Sequence, residues 1–313
     1  MILVVGATGL VGGMIARDLL ERGKDLRILV RPGSSYQSLV LAGAKPIMGD
    51  LKDPGSLSAA CSGVETVITT ASAGSRGGDD TPQSVDLEGN GNLIDAAHQA
   101  GVSQFIFVST IAADENSPVP LLRAKAQAEA HLRASGLSYT ILAATTLMDL
   151  TLSLVVGGPA QAGRPVTLVG EGRRRHSFVA ARDVAAFAVA TVGHPAALNR
   201  HIVVAGPEPV SLREVVSTYE RVLSRSIPVR TIAPGELLPD LPPVPGLTEV
   251  VSGMLAALET FDSAIDMAET ARIFDVRLTT LEEFVCQEVT SVGIRDCVNQ
   301  ASRADSGAID GGT

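Results

Sequence analysis

The chain has 313 residues, of which 45% are hydrophobic and 19% are charged, so it can bury a sizeable core and global disorder is excluded. Its 25 basic and 34 acidic residues give a formal net charge of −9, which argues against a protein that neutralises nucleic-acid phosphates. Aromatic residues make up only 3%, so a platform for stacking bases is not expected.

The sequence lacks the usual marks of a secreted or membrane protein. No apolar run approaches the roughly 20 residues that span a bilayer, and the apolar start is interrupted at Gly6 without preceding basic residues. Cys61, Cys286 and Cys297 are too widely spaced for a disulfide framework or a zinc site, and the five histidines show no metal-ligand spacing. We therefore expect a cytoplasmic protein with no metal, no membrane and no nucleic acid among its partners.

Short apolar runs alternate with helical patterns through the first 150 residues. In the first helical pattern, Val11, Ile15 and Leu19 follow each other at four-residue spacing, and Gly23 ends the helix. Such alternation predicts an α/β domain over residues 1–150, with a doubly wound parallel sheet of the Rossmann type and a ligand at the carboxyl ends of its strands. The predicted strands are Ile2–Val5, Leu26–Val30, Pro46–Met48, Thr66–Thr69, Gln104–Val108 and Ser138–Leu142, and two later helices are Ser84–Ala100 and Leu121–Ala134.

Beyond about residue 150 the pattern loosens, and residues 151–296 are predicted to form a smaller C-terminal α/β lobe that closes over a substrate. Residues 182–206 are expected to return to the main sheet, because a helix over Arg182–Val192 leads to another buried strand, His201–Ala205. Residues 297–313 lack periodicity and are predicted to be a disordered tail. The other predicted elements are the strands Thr167–Val169 and Ser177–Val179, the helices Ser211–Leu223 and Thr280–Val289, and the proline-rich loop Pro239–Pro245.

The strongest motif joins the first strand to the first helix through three glycines. Gly6 permits a tight turn, Gly9 lets the backbone approach a pyrophosphate, and Gly12 lets the helix pack closely on the strand. The phosphates then meet unpaired N–H groups at the helix N-terminus. Because the motif opens a series of strand–helix units, it indicates dinucleotide binding rather than a plain tight turn. The candidate contacts are Gly6, Thr8, Gly9, Leu10, Val11 and Gly12.

The end of the second strand indicates which dinucleotide is bound. An acidic residue there usually holds the ribose 2′-hydroxyl of NAD, but in this chain the strand continues into Arg31. Arg31 offers a permanent planar cation to a 2′-phosphate, and the hydroxyls of Ser34 and Ser35 can add donors. The sequence therefore favours NADP(H) over NAD(H), with a solvated loop arginine as the alternative interpretation.

Several further segments form a pattern that extends to about residue 290. They are Gly6–Gly12, Val30-Arg31, Gly43-Ala44, Gly49–Leu51, Lys125 with Glu129, Ser135–Leu142 and Arg182–Ala185. The pattern resembles the NmrA-like and isoflavone-reductase-like group of the atypical short-chain dehydrogenase/reductase superfamily. The glycine motif is common to the whole superfamily, whereas Gly49–Leu51 together with Ser135–Leu142 is more specific to this group.

The resemblance implies further contacts with the cofactor and the substrate. Asp50 and Leu51 would border the adenine, although Asp50 is equally compatible with a turn before Pro54. The segment after the sixth strand would run beside the nicotinamide, with Met148 and Asp149 facing the substrate; Asp149 is otherwise a helix-start carboxylate. The remaining cofactor contacts that the resemblance implies are Thr70, Ala71, Ser72, Ala144, Thr145 and Thr146.

Lys125 is the main catalytic candidate. Typical members of the larger superfamily use Tyr-x-x-x-Lys, in which the tyrosine donates a proton and the lysine holds the nicotinamide ribose. Lys125 occupies the lysine position, but Leu121 stands one turn earlier and cannot donate a proton. We expect Lys125 to bind the ribose or to polarise the reacting carbonyl; the alternative is a helix lysine paired with Glu129. Tyr139 opens a buried strand and is read as a core aromatic.

Three other polar features are weaker candidates. Ser109 and Thr110 end the fifth strand, where either hydroxyl could orient or protonate a substrate oxygen or simply cap the strand. The run Arg173–Arg175 before His176 could attract an anionic substrate, although such a run is usually a solvated face.

Together these residues predict an NADPH-dependent oxidoreductase that reduces a small apolar carbonyl compound or a quinone. A quinone suits the missing tyrosine, because its reduced oxygen is more acidic than an alkoxide and needs little help from a proton donor. One alternative is a non-catalytic NADP(H) sensor that binds a protein partner. A weaker one is a nucleotide-sugar epimerase or dehydratase, which normally needs the tyrosine and a tightly held NAD. The oligomeric state stays open.

Overall fold

The computed structural model describes residues 1–74, 79–239, 241–242 and 247–290, which fall into two units. The first unit comprises Met1–Thr146, Ala181–Ala205 and Met267–Leu278, and the second comprises Leu147–Ala180, Gly206–Asp266 and the described part of Thr279–Thr313. The predicted tail 297–313 and part of the predicted loop Pro239–Pro245 lie outside the described residues.

The strands, in chain order, are β1 (Ile2–Val5), β2 (Leu26–Val30), β3 (Lys45–Met48), β4 (Thr66–Thr69), β5 (Gln104–Thr110), β6 (Tyr139–Ala144), β7 (Val166–Val169), β8 (Arg175–His176), β9 (Arg200–Val204), β10 (Val210–Ser211) and β11 (Val229–Ile232). The α-helices are α1 (Leu10–Glu21), α2 (Gln37–Leu41), α3 (Pro54–Cys61), α4 (Asn90–Gln99), α5 (Pro120–Ala134), α6 (Gly158–Gln161), α7 (Ala181–Ala190), α8 (Leu212–Leu223), α9 (Leu247–Leu258) and α10 (Ala268–Phe274). Residues 281–290 are also helical, and π-helices span Pro82–Gly89 and Met148–Gly157.

Seven strands of the first unit form one parallel sheet in the order β3-β2-β1-β4-β5-β6-β9. Leu3 and Val5 of β1 join an apolar cluster with Leu57 of α3 and Leu93 of α4, while α1 and α7 pack on each other outside that cluster. The strand order reverses between β1 and β4, which is where parallel α/β sheets bind their ligands. The doubly wound Rossmann sheet predicted from the sequence is confirmed.

The predicted helix Ser84–Ala100 consists of two elements, the first π-helix and then α4. The π-helix begins with a reciprocal cap, because Thr81 Oγ1 accepts the Ser84 N–H at 3.1 Å and Ser84 Oγ accepts the Thr81 N–H at 3.0 Å. At its end the Asn90 side-chain amide donates to the Val85 carbonyl at 3.1 Å. The same amide donates to the Asp86 carbonyl at 3.2 Å, the acceptor that a continuous α-helix would offer to the Asn90 N–H, and this favours the π geometry.

In the second unit, β7 pairs in parallel with β11, and β8 pairs antiparallel with β10. The predicted strand Thr167–Val169 is confirmed as part of β7, but the predicted strand Ser177–Val179 is wrong. The N–H at the start of that segment donates to the Ser263 carbonyl at 3.0 Å, whereas the carbonyl at its end accepts from the Met148 N–H at 2.8 Å. The segment therefore bonds to two separate stretches of chain instead of one neighbouring strand.

Helix α8 confirms the prediction for Ser211–Leu223 and has a complete N-terminal cap. The Ser211 hydroxyl accepts the Glu214 N–H at 3.3 Å, and the Glu214 carboxylate accepts the Ser211 N–H at 2.7 Å. Residues 281–290 likewise agree with the predicted helix Thr280–Val289. In the described ranges, every helix falls short of the length or the apolarity that a membrane span needs.

Candidate functional site

The glycine turn between β1 and α1 leaves no room for side chains at two of its glycines. Gly6 has φ +89°, and a Cβ on it would lie 2.6 Å from Thr70 Oγ1. A Cβ on Gly12 would lie 2.2 Å from the Gly6 carbonyl oxygen, so α1 approaches the turn more closely than alanine permits. The turn is closed by the Gly9 N–H, which donates to the Gly6 oxygen at 2.9 Å. The spacing of the motif is thus explained by close backbone packing.

The first turn of α1 can receive an anion. Gly9, the N-cap residue, has no side chain with which to cap the helix, and the Gly13 N–H bonds back along the helix to the Gly9 carbonyl at 2.9 Å. The amides of Leu10, Val11 and Gly12 therefore stand outside the ladder of helical hydrogen bonds. Together with the helix dipole, such amides suit a pyrophosphate.

A shallow depression lies at the carboxyl ends of the first strands of the sheet. It brings together six of the predicted residues, because β1, β2 and β3 are neighbours in the sheet order. The lining consists of the predicted residues Gly6, Thr8, Arg31, Ser34, Asp50 and Leu51, together with Val5, Leu29 and Gly49. Ser35 is exposed and is not among these lining residues.

The loop after β3 shapes one wall of this depression. Leu51 is buried, and a Cβ on Gly49 would lie 2.8 Å from the Leu29 side chain, so the loop lies close against β2. Asp50 Oδ1 accepts the Lys52 N–H at 2.9 Å. Asp50 is therefore a turn residue and a lining residue at once, so its two interpretations are compatible.

Arg31 is engaged by an acidic residue that lies far away in the sequence. Its Nη1 donates to Asp80 Oδ2 at 2.7 Å, and Lys52 Nζ donates to Asp80 Oδ1 at 2.6 Å. Burial alone would raise the pKa of Asp80, but the hydrogen bonds from Lys52 and Arg31 outweigh it, so this pKa lies below its usual value. The same contact raises the pKa of Lys52. Arg31 is thus a paired arginine rather than a freely solvated one.

The end of β4 is fixed by hydrogen bonds from α4. Thr69 Oγ1 donates to Asn90 Oδ1 at 3.0 Å, and the Asn90 amide donates to the Ala71 carbonyl at 3.4 Å. The Thr70 N–H donates to the Val5 carbonyl at 3.0 Å, so Thr70 and Ala71 follow the course of β1 into the glycine turn. Ser72 is half-buried beside them.

Lys125 is buried on α5 and pairs with Asp86 of the first π-helix. Its Nζ lies 3.2 Å from Asp86 Oδ1 and 5.1 Å from the centre of the Phe107 ring, and the Lys125 side chain is 9% exposed. Among the described residues, Asp86 Oδ1 accepts no well-aligned hydrogen bond, whereas its Oδ2 accepts the Ala73 N–H at 2.9 Å. We regard the contact with Lys125 as a charge pair, which leaves ammonium protons for other acceptors.

The structure rules out the alternative pairing of Lys125 with Glu129. Glu129 is buried, accepts the Ser109 hydroxyl at 2.6 Å and forms an ion pair with Arg133 at 2.8 Å. The Ser109 hydroxyl thus has a structural partner, the buried Glu129 carboxylate of α5. Thr110 is more exposed and accepts the Ala112 N–H at 3.3 Å.

The segment after β6 divides between the two units. Ala144 is buried at the end of β6, and the Thr145 N–H donates to the Val204 carbonyl of β9 at 2.9 Å, with Thr146 the last residue of this stretch of the first unit. Met148 and Asp149 belong to the second unit. Met148 is 2% exposed within that unit's apolar core, and Asp149 lies in the first turn of the second π-helix.

The side chains of the arginine run in the second unit form ion pairs. This agrees with the interpretation of the run as a solvated face. Arg173 pairs with Glu171 at 3.1 Å, Arg174 with Asp262 at 3.0 Å, and Arg175 with Glu214 at 3.1 Å. His176, the next residue, is buried.

Three polar residues of the first unit were not found by sequence reasoning. Their roles depend on ion pairs with residues 28 to 49 positions away in the sequence, and a local sequence motif does not reveal such pairs. The three residues are Asp80, Lys52 and Asp86. One signal was available: Asp86 and Asn90 lie four residues apart on a helical face that is otherwise apolar. Polar residues buried on such a face require partners.

The sequence as a whole matches the NmrA-like family over residues 1–285. The chain belongs to the NmrA-like family. An NAD(P)H azoreductase from Xenophilus azovorans is 31% identical, over 74% of this chain and 77% of the azoreductase. The photosystem II assembly factor Ycf39 of Synechocystis sp. is 32% identical, over 71% of this chain and 67% of that factor. A Ycf39 from Cyanophora paradoxa is 43% identical, over only 45% of this chain and 43% of its own length.

Solved structures share the fold of this NmrA-like protein. A triphenylmethane reductase from Citrobacter sp., in complex with NADP(H), superposes with a TM-score of 0.78 at 20% identity, over 92% of this chain and 99% of the reductase. An NADPH-dependent quinone oxidoreductase from Escherichia coli, in complex with NADPH, superposes with a TM-score of 0.76 at 21% identity, over 92% of this chain and 99% of the oxidoreductase. At these identities the likeness establishes the fold alone.

Proposed function

We propose that this NmrA-like protein is an NADPH-dependent reductase of a small apolar carbonyl compound or a quinone. The observation that carries the proposal is the depression in which the glycine turn, Arg31 and the loop over Gly49–Leu51 lie together. Such a site offers amides to a pyrophosphate, an apolar wall to an adenine and a cation to a 2′-phosphate. The NAD(P)H azoreductase among the relatives and the NADPH of the quinone oxidoreductase support this choice of cofactor.

When bound, NADPH supplies the hydride, and the protein supplies binding, orientation and electrostatics. Lys125 is proposed to hold the nicotinamide ribose and to stabilise negative charge that develops on the substrate oxygen. Asp86 keeps the ammonium fixed near β4, since its other oxygen is bound to the Ala73 N–H. The ammonium is therefore preorganised before a substrate arrives, so little reorganisation is needed during the reaction.

This chain departs from the larger superfamily in the residue that would donate the proton. Leu121 stands where the tyrosine would be, and the Ser109 hydroxyl already donates to Glu129. Water, Thr110 or Lys125 are the remaining sources. A quinone requires the least from them, because its reduced oxygen is only weakly basic.

Steady-state turnover with NADPH tests the proposal. Quinones and aromatic ketones are offered in turn, and the loss of the nicotinamide absorbance is followed. Quinones are expected to react fastest, and a nucleotide sugar serves as the matched negative substrate. No turnover above background, in a protein that nevertheless binds NADPH, would contradict the proposed reductase.

A second candidate is a non-catalytic NADP(H)-sensing protein that binds a protein partner. The observation that favours it is Leu121 in place of the tyrosine, and the Ycf39 relatives carry the name of an assembly factor. Tight NADPH binding without turnover is the outcome it predicts. An epimerase or dehydratase of nucleotide sugars is disfavoured, because that chemistry normally uses the tyrosine that this chain lacks.

A further inference from the structure

The Asp80 carboxylate and the cations Arg31 and Lys52 adjoin the depression, and Arg31 is the one of these three that belongs to its lining. The Asp80 side chain is 5% exposed and accepts from Arg31 at 2.7 Å and from Lys52 at 2.6 Å. Arg31 follows β2 and Lys52 follows the end of β3, which is the neighbouring strand. One nearly buried carboxylate therefore holds two cations at the edge where a 2′-phosphate is expected.

The position of Asp80 is also fixed along the chain. Asp80 directly precedes Thr81, the residue that caps the first π-helix together with Ser84. Farther along, the same helix carries Asp86, which is bound to Ala73 and paired with Lys125. Asp80 therefore lies immediately before a capped and ordered element.

The charges of Arg31, Lys52 and Asp80 determine how strongly these residues attract a phosphate. Arg31 and Lys52 contribute two positive charges, and Asp80 neutralises one of them through short contacts to both. A 2′-phosphate carries nearly two negative charges and would share those cations with a carboxylate of the same sign. The 2′-hydroxyl of NADH is neutral and experiences almost none of this competition.

We propose that Asp80 sets the balance between NADPH and NADH by competing with the 2′-phosphate for Arg31 and Lys52. The inference rests on the proposed dinucleotide-binding function and deepens it. The wild-type protein then prefers NADPH less strongly than its two cations alone would dictate, and it retains measurable affinity for NADH.

Equilibrium binding of NADPH and of NADH, followed by nicotinamide fluorescence, tests this competition. Asp80→Asn keeps the shape of the side chain and removes its charge. It is expected to tighten NADPH by at least about fivefold, the effect of one unit charge on another at a few Å in water, while NADH changes by less than about twofold. The gain should shrink as salt is added, since the cations are partly exposed.

The matched control is Asp79→Asn, which removes the same charge from the exposed neighbouring residue. Its ratio of NADPH to NADH affinity should stay within about twofold of the wild-type ratio, because a solvated charge is screened. An equal gain in NADPH affinity in both variants would show that the effect comes from the change in net charge, and it would overturn the inference. Weaker NADPH binding in Asp80→Asn, or an unchanged ratio, would overturn it as well.

Lys52→Gln keeps the test decisive if Asp80→Asn does not fold, since Lys52 is a partly exposed side chain whose removal leaves no buried cavity. This variant should weaken NADPH by about fivefold and leave NADH unchanged, because it removes one of the two cations for which Asp80 and the 2′-phosphate compete. Loss of both affinities, or of neither, would contradict the inference. If the wild-type protein binds neither dinucleotide, the proposed function fails too; if only the variant results fail, the proposed function stands.

Discussion

At the scale of single residues, Lys125 and Asp86 form a buried pair whose two charges depend on each other. The carboxylate is fully buried and the ammonium nearly so, at a separation of 3.2 Å. Burying either charge alone would be strongly unfavourable. The pair therefore links α5 to the segment after β4 and holds an ammonium beside the residues that we propose to contact the cofactor.

Lys125→Met should remove both turnover and stability, whereas adding Asp86→Asn should restore stability alone. The single variant leaves a buried carboxylate without its partner, at a cost of about 3–5 kcal/mol, which the double variant largely avoids. Turnover should fall by about 100-fold or more in both. Urea unfolding and NADPH oxidation measure the two effects, and Lys24→Met, at an exposed lysine, is the control. A double variant with wild-type turnover would remove Lys125 from the mechanism.

Arg31→Asp should weaken NADPH and shift the preference toward NADH. The substitution removes the cation proposed for the 2′-phosphate and places a second carboxylate near Asp80. Arg22→Asp, at the exposed end of α1, makes the same change of charge away from the depression. Titrations with both dinucleotides measure the outcome. A ratio of affinities equal to that of the control would contradict the assignment of Arg31.

Sequence reasoning identified residues that act through a local motif and missed those that act through distant partners. Arg31 and Lys125 stand at recognisable positions after a strand and within a helix, so both were proposed from the sequence. Their partners Asp80 and Asp86 lie 49 and 39 residues away, and only the folded chain brings them together. For the same reason the sequence could not tell whether Lys125 pairs with Glu129 or with another acid.

At the scale of elements, α1 packs closely against the glycine turn of the proposed dinucleotide site. Gly12→Ala would place a methyl group 2.2 Å from the Gly6 carbonyl, which is backbone and cannot rotate away. We expect a loss of about 1–3 kcal/mol and much weaker NADPH binding. Gly91→Ala in α4 meets no atom of the described residues within 4 Å, outside the helix's own backbone, and should stabilise the fold by about 0.4–1 kcal/mol. Equal unfolding midpoints for the two variants would contradict this account.

Strand β8 of the second unit should make stability depend on pH through His176. Burial lowers the pKa of His176, and the hydrogen bond to the Leu258 carbonyl offsets this only in part. The unfolded chain therefore binds this proton more readily, so stability is present above about pH 6.5 and falls as the pH drops below it. Urea unfolding across this range should show a smaller decline for His176→Asn. An unchanged decline would mean that His176 is not the responsible group.

The elements that the sequence predicted are those with a clear period. Strands β1, β2 and β4 are short, largely apolar and largely buried, and their bounds agree with the prediction. The two-residue strands β8 and β10 are too short to show any period, so they were missed. The π-helix before α4 depends on side-chain hydrogen bonds from Asn90, which hydrophobic spacing does not report.

At the scale of the whole molecule, an acidic protein is proposed to bind a polyphosphate. With a net charge of −9, it is proposed to do so through local features, namely the amides at the start of α1 and the cations Arg31 and Lys52. The family and the Rossmann sheet follow from the sequence, because the glycine motif and the strand pattern occupy one continuous stretch. The return of Met267–Leu278 to the first unit could not be predicted from the sequence. It depends on the packing of Phe274 against Phe187 and His194.

The central claim, a reductase that uses NADPH, is tested most directly by a single turnover. The protein is saturated with NADPH and mixed with a quinone in the absence of oxygen, and the nicotinamide absorbance is recorded. We predict that the bound NADPH is oxidised completely and faster than free NADPH under the same conditions, and that the Lys125→Met/Asp86→Asn variant does not show this acceleration. Bound NADPH that disappears no faster than free NADPH would contradict the claim and leave the sensing function as the better account.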